Sequence, residues 1–342
     1  MRYTTRTGTA LLTLFLITLF VWTGVAEATV AAPPATGTLS GRIDYPTFST
    51  PFGIAISPDG TSVYVTGLFS GTVSLFTRNT STGALSGRIE YQTGANSMPS
   101  SVVVSPDGTS VYVTNSSSNT IALFPRNIST GVLSPVFTVV TTLPNPQFIT
   151  ISPDGRSIYV TNPSNNISLF TRDTTTGNLS GRIDYVAGAT PQGIAVSPDG
   201  TSVYVSNYGD STISLFPRDV STGALYTPVG YATGLWPQGI TVSPDGTSVY
   251  VTNSGSGTVS LFPRANGGTL SARIDYPTGA NPSGVVVSSD NASVYVADLG
   301  SSGVTSFITF MTRATGPVNN GTLSGRIDYI TGLNPYKRHR LC

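Results

Sequence analysis

A chain of 342 residues with 39% hydrophobic and only 10% charged residues has ample material for a core. It does not have the high charge and scarcity of β-branched residues that mark disorder. The formal charge of +1 hides an acidic body: between residues 29 and 336, twelve arginines and no lysine stand against fifteen acids, a net −3. That excludes the basic face with which a nucleic-acid binder displaces phosphate counterions.

Arg2 and Arg6 precede a hydrophobic run from Ala10 to Val25, and Ala26-Glu27-Ala28 follows it as a small-residue cleavage site. This pattern predicts a secretory signal over residues 1–28, with an uncleaved membrane anchor as the alternative. The run is short for a spanning helix, so no membrane span is expected after cleavage. Residues 29–36 (TVAAPPAT) read as a flexible lead-in. The one cysteine is the last residue, Cys342, so no internal disulfide is expected, and a secreted or cell-surface location rests on the leader alone.

From residue 37 to residue 332 the chain repeats. Ser-Pro-Asp-Gly begins at Ser57, Ser105, Ser152, Ser197 and Ser243, and a degenerate Ser-Ser-Asp-Asn begins at Ser288. A period in the mid-forties, built of short β segments, predicts an all-β protein: one β-propeller domain of four-stranded antiparallel blades. In the fourth copy, Gly193 to Ser197 reads as innermost strand a, Ser202 to Ser206 as b, Thr212 to Arg218 as c and Ala224 to Tyr231 as d. Pro198-Asp199-Gly200 turns a into b: Pro presets φ, Asp bonds nearby backbone and Gly ends the turn.

The sequence holds six a-b-c sets but seven d-type strands, because GTLSGRIDY occurs at 37–45 and again at 321–329. Six blades are expected, with one of these copies closing the ring. The alternative is a seven-bladed parent that stops before its last a-b-c set, since residues 333–342 form a basic tail unlike anything upstream. A monomer is expected.

Few side chains are left for chemistry. The only His is His339 and the only Lys is Lys337, both in the tail, and Glu90 is the one Glu after the leader. No cofactor is expected, and no metal site, because transition metals draw on His and Cys. Asp59, Asp107, Asp154, Asp199 and Asp245 are turn residues of one type. Arg78, Arg126, Arg172, Arg218, Arg264 and Arg313 each end strand c, which points to structural pairing, with an anion-binding ring as the alternative. Two aspartates break the pattern. Asp210 sits in the blade-four b–c loop, and Asp298 replaces the Asn that closes strand b; each is a candidate ligand group or general base. The d–a entry leads to the channel mouth and brings Gln147, Gln192 and Gln238 there, with Phe52, Tyr208 and Trp236 adding aromatic surface. Amides beside aromatics suit a neutral polar ligand such as a glycan, or a protein partner.

Ser-Pro-Asp-Gly-Thr-Ser-Val-Tyr-Val-Thr-Asn at 105–115 and 243–253 resembles the YVTN-type β-propeller repeat. Tyr112 to Asn115, Tyr159 to Asn162 and Tyr250 to Asn253 match that run in full, and Thr-Gly-Ala-Leu at 82–85 and 222–225 is similar to the propeller lactonase family. The resemblance covers residues 37–332 and implies the fold. It also implies a hydrolase of 6-phosphogluconolactone type, with His and Arg near the mouth. The matching positions here carry Gln, Gly, Ser or Phe. On that departure and the missing reactive residues, the leading expectation is a secreted, non-enzymatic binding or scaffold module. A lactonase-like hydrolase is the first alternative, and a truncated repeat product without retained activity the second.

Overall fold

The structure is a computed structural model, and it describes residues 38–47, 50–134, 138–300, 305–315 and 320–333. The leader, most of the lead-in and the tail fall outside the described residues.

Blade 1 comprises β1 (Pro51–Ile56), β2 (Ser62–Gly67), β3 (Thr72–Arg78) and β4 (Leu85–Gln92). Blade 2 comprises β5 (Pro99–Val104), β6 (Ser110–Asn115), β7 (Thr120–Pro125) and β8 (Thr138–Thr141). Blade 3 comprises β9 (Ile149–Ile151), β10 (Ser157–Asn162), β11 (Asn166–Arg172) and β12 (Leu179–Val186). Blade 4 comprises β13 (Pro191–Val196), β14 (Ser202–Asn207), β15 (Thr212–Pro217) and β16 (Val229–Ala232). Blade 5 comprises β17 (Pro237–Val242), β18 (Ser248–Asn253), β19 (Thr258–Pro263) and β20 (Ile274–Pro277). Blade 6 comprises β21 (Pro282–Val287), β22 (Ser293–Asp298), β23 (Thr305–Arg313) and β24 (Leu323–Leu333).

Each blade is a separate four-stranded antiparallel meander, so the protein is an all-β, six-bladed propeller with no helix among the described residues. The second strand of each blade is sandwiched between neighbours, and β2, β6, β10, β14 and β18 are buried at every position. Val-Tyr-Val satisfies that demand on both faces of the pleat. The expected d strand of blade 4 is shorter than its pattern: β16 starts at Val229 and Leu225 keeps only an isolated bridge to Arg218, as β20 and Leu270 do in blade 5. Blades 1, 3 and 6 carry the strand through on a left-handed Gly87, Gly181 or Gly325, where blades 4 and 5 have Thr227 and Ala272.

The blades are locked to one another by a device repeated from blade to blade. Arg172, at the end of β11, crosses to blade 2: its Nε donates to the Tyr112 hydroxyl (2.7 Å) and its Nη1 pairs with Asp107 (2.8 Å). Tyr112 in turn donates to the Gly177 carbonyl of blade 3. Arg126, Arg218, Arg264 and Arg313 repeat this on Tyr64 and Asp59, Tyr159 and Asp154, Tyr204 and Asp199, and Tyr250 and Asp245. Burial raises the carboxyl of Asp107, but bonds from Arg172, Ser105 and Thr109 outweigh it and hold the group well below the usual carboxylate range. Burial pushes the lock tyrosines up, Tyr250 to about 12, so they serve as hydroxyl donors rather than phenolates.

The ring is laid out for seven stations. On the outer rim, the Tyr91 hydroxyl of blade 1 accepts the Leu133 N–H of blade 2 (3.2 Å), and Tyr231 of blade 4 accepts Leu270 N–H of blade 5 (3.3 Å). Residues 38–46 make both halves of this latch: Leu39 N–H donates to Tyr329 of blade 6, and Tyr45 accepts Leu85 N–H of blade 1, each at 3.0 Å. That segment therefore stands one place after blade 6 and one place before blade 1. Among the described residues it is all that stands there. A second sign is at the inner strands. A Cβ on Gly239 would come within 2.5 Å of the Ser283 carbonyl of the next blade, whereas one on Gly284, the same position in blade 6, would meet only its own blade's Ala297 at 3.9 Å. The two GTLSGRIDY copies thus do different jobs: 321–329 lies in the outer strand of blade 6, and the earlier copy is an outer segment at the seventh station.

Candidate functional site

The Ser-Pro-Asp-Gly turns and the c–d turns lie at one end of the ring, and the b–c and d–a loops at the other. At this second end the two loop sets are tied together by backbone bonds. Tyr208 N–H donates to Thr190 carbonyl (3.1 Å), and Ser254 N–H to Trp236 carbonyl (3.0 Å). The residue before each strand-a proline is left-handed, and Trp236 holds φ at 56°. That is a costly conformation for a bulky side chain, maintained by these flanking bonds.

Of the aromatic candidates, Tyr208 and Trp236 come together. Their rings stack with centroids 6.0 Å apart and planes 16° from parallel, and Trp236 is 51% exposed. Phe52 of β1 and Phe148, immediately before β9, meet at 6.4 Å, linking blades 1 and 3 across the intervening blade 2. The glutamines are not brought together by any bond to one another among the described residues: Gln147 donates to Asn145 (2.7 Å) and Gln238 to Ser254 (3.3 Å). Gln192 is half-buried at the start of β13.

The two pattern-breaking aspartates have opposite fates. Asp210 is exposed in the loop that also carries Tyr208, and its Oδ2 accepts the Ala189 N–H. Asp298 is 1% exposed and sealed beneath Gly279, with Oδ2 accepting from the Thr309 hydroxyl (2.6 Å) and Oδ1 unpartnered. Burial pushes its carboxyl up to about 6 against the hydrogen bond from Thr309, and the charge of Asp328 adds to the rise. Its surroundings are those of a core group, out of reach of a substrate.

The strand-c arginines do not form an anion ring. Arg126, Arg172, Arg218, Arg264 and Arg313 are spent in the inter-blade locks, at the end opposite the mouth. Arg42, Arg88, Arg182, Arg273 and Arg326 pair with the acid two residues on along the outer rim, where each solvated pair is worth about 0–1 kcal/mol. No group of three His, Cys, Asp or Glu that could hold a metal occurs among the described residues. An open cavity of about 390 Å³ lies on the rim between blades 2 and 3, lined by Val140, Thr141, Phe170, Ser180, Gly181 and Arg182. It offers no carboxylate or hydroxyl nucleophile beyond Thr141 and Ser180 and stands away from the mouth.

Sequence reasoning expected structural pairing of the strand-c arginines and aromatic surface from Tyr208 and Trp236. It did not identify the tyrosine and turn aspartate of the preceding blade as the arginine's partners, nor the stacking of the two rings. The lock had a signal: the spacing of Asp, Tyr and the next blade's Arg is nearly constant from copy to copy, as at 59, 64 and 126 or 107, 112 and 172. The stack had none, because it joins a b–c loop to a d–a loop across the chain.

A family profile described as "Lactonase, 7-bladed beta-propeller" matches residues 54–192 and 184–287. No curated protein matches. A putative 6-phosphogluconolactonase from Bacteroides uniformis is similar in structure, with a TM-score of 0.72 and 23% identity over 87% of this chain and 90% of that one. A second, from Bacteroides fragilis, gives 0.70 and 21% over 84% and 85%. A periplasmic gluconolactonase from Pseudomonas aeruginosa gives 0.59 and 22% over 68% and 72%. At these identities the structures speak for the fold, and the profile, spanning more than half of the chain, speaks for the family. The expectation of a non-enzymatic binding scaffold is corrected by that match. It rested on the scarcity of His, Lys and Cys, but a lactone is a cyclic ester whose hydrolysis needs no more than a placed base and a polar cradle. With seven outer segments on its rim and six complete blades, this chain belongs to the propeller lactonase family.

Proposed function

We propose that the protein hydrolyses a sugar lactone at the mouth, with Asp210 as general base. Family membership supports the reaction, and the observation that carries the site is that Asp210 is the one charged side chain in the described mouth loops, next to an exposed aromatic stack. The sugar ring would lie on the face of Trp236, whose apolar surface suits the C–H face of a pyranose. Asp210 would take a proton from water as its oxygen attacks the lactone carbonyl. The ring C–O bond then breaks as Asp210 returns that proton to the leaving oxygen, so one water is added across the ester and a hydroxy acid results. Side-chain amides of Gln192 and Gln238 are the donors available to the developing oxyanion. The signal-like residues 1–28 support a site of action outside the cytoplasm.

Asp210→Asn keeps an acceptor for the Ala189 N–H and removes the base. It is expected to lower kcat/KM for gluconolactone by about 10²–10⁴-fold with an unchanged melting temperature. Titration of acid release at fixed pH, corrected for spontaneous opening, measures this. Wild-type hydrolysis that survives the substitution would remove Asp210 from the reaction.

A further inference from the structure

We infer that the lactone this mouth accepts is uncharged, and that phosphorylated sugar lactones are disfavoured; this rests on the hydrolase reading above. The observation is where the cations are. The described chain carries twelve arginines and no lysine or histidine. Five are held in the inter-blade locks at the far end of the ring. Five pair along the outer rim. Arg78 ends β3 at the far end and donates to the Gly60 and Thr80 carbonyls, and Arg156 follows the Ser-Pro-Asp-Gly turn at that same end.

The mouth loops are made of other material. Leu68 to Gly71, Thr93 to Met98, Ser116 to Asn119, Ala187 to Thr190, Thr233 to Trp236, Ser254 to Gly257 and Thr278 to Asn281 contain no charged residue, and Tyr208 to Ser211 adds Asp210. A phosphate dianion bound there would face a carboxylate with no guanidinium or ammonium among the described mouth residues to offset it. Phosphate recognition ordinarily uses Arg forks, Lys or helix N-termini, and no helix is present among the described residues. A neutral sugar lactone meets no such opposition and has the Tyr208–Trp236 stack to lie on. The same negative charge helps to expel the product, because hydrolysis turns the neutral ester into a carboxylate.

The test compares gluconolactone with 6-phosphogluconolactone on the full chain, at low and at high salt. The expected result is a kcat/KM at least tenfold higher for the neutral lactone. Added salt should raise the value for the phosphorylated one by screening the repulsion and leave the neutral one unchanged. Equal or better turnover of the phosphorylated lactone, or a salt effect of the opposite sign, overturns the inference and leaves the hydrolase reading standing. Failure to hydrolyse either lactone above the spontaneous rate removes both.

Discussion

Arg172→Ala is expected to destabilise the protein by about 2–4 kcal/mol: the hydrogen bonds of a fully buried guanidinium are lost, while the one-third-exposed Asp107 carboxylate it leaves behind is rehydrated. The Arg172 side chain is fully buried, and it reaches Tyr112, Asp107, Thr109 and Ser110 of the preceding blade, so its loss unfastens one blade from the next. The companion substitution Arg78→Ala is expected to cost at most about 2 kcal/mol, the worth of its two bonds to backbone carbonyls. Arg78 sits at the same place in blade 1, but its Nε is buried without a partner and no described carboxylate pairs with it. Urea unfolding of the two variants separates them. Equal losses would contradict the lock.

The lock also fixes the acid response. Asp59, Asp107, Asp154, Asp199 and Asp245 are all held below the ordinary value of 3.8 by bonds that outweigh their burial. A depressed carboxyl contributes stability that is present above its unfolded value and lost as the pH falls through the folded one. Unfolding by acid should therefore set in below about pH 4.

Asp298→Asn is expected to do the opposite of most core substitutions and stabilise the protein. In blade 5 each acceptor in the corresponding hydrogen-bond relay has a donor: Asn253 Nδ2 donates to Ser260 Oγ (2.7 Å), which donates to Asp275 (2.7 Å). Blade 6 has Asp298 in place of the Asn, and the Thr309 hydroxyl lies within bonding distance of both Asp298 (2.6 Å) and Asp328 (2.8 Å) with one proton to give. The relay is a proton short whenever both carboxyls are ionised. Asp298 has a raised folded value, about 6 against 3.8, so the native state binds the extra proton and loses stability as the pH rises between those values. The penalty above pH 6 is about 3 kcal/mol. Asn removes it, so the gain should be largest at pH 7 to 8 and fade towards pH 4. Thermal melts of both proteins across that range check it, and a gain independent of pH would contradict the relay.

Much of the fold was legible because each blade announces itself locally. The Ser-Pro-Asp-Gly turn, the doubly apolar Val-Tyr-Val and the alternating Arg-Ile-Asp-Tyr each specify their own geometry, and the six strand sets follow in order. The station count was not legible, because it depends on where residues 38–46 dock, a choice made by Leu39 and Tyr45 against strands almost the whole chain away. Sequence placed Asp210 near the mouth from the break in repeat pattern, and Tyr208 and Trp236 there as aromatic surface beside the d–a entry. It could not separate Asp210 from Asp298, since both are loop-proximal carboxylates on paper. Burial alone tells them apart: Asp298 is covered by the backbone at Gly279 and by Thr309, while Asp210 stands in solvent.

The most direct test of a lactone site at this mouth uses Trp236 itself. The chain has two tryptophans, Trp22 and Trp236, so Trp22→Phe leaves the mouth indole as the only one. Titrating that variant with gluconolactam, the unreactive neutral amide analogue of the lactone, should give a saturable change in indole fluorescence that Tyr208→Ala abolishes or weakens at least tenfold. An indole that stays silent while the protein still hydrolyses gluconolactone would place the chemistry elsewhere on the propeller.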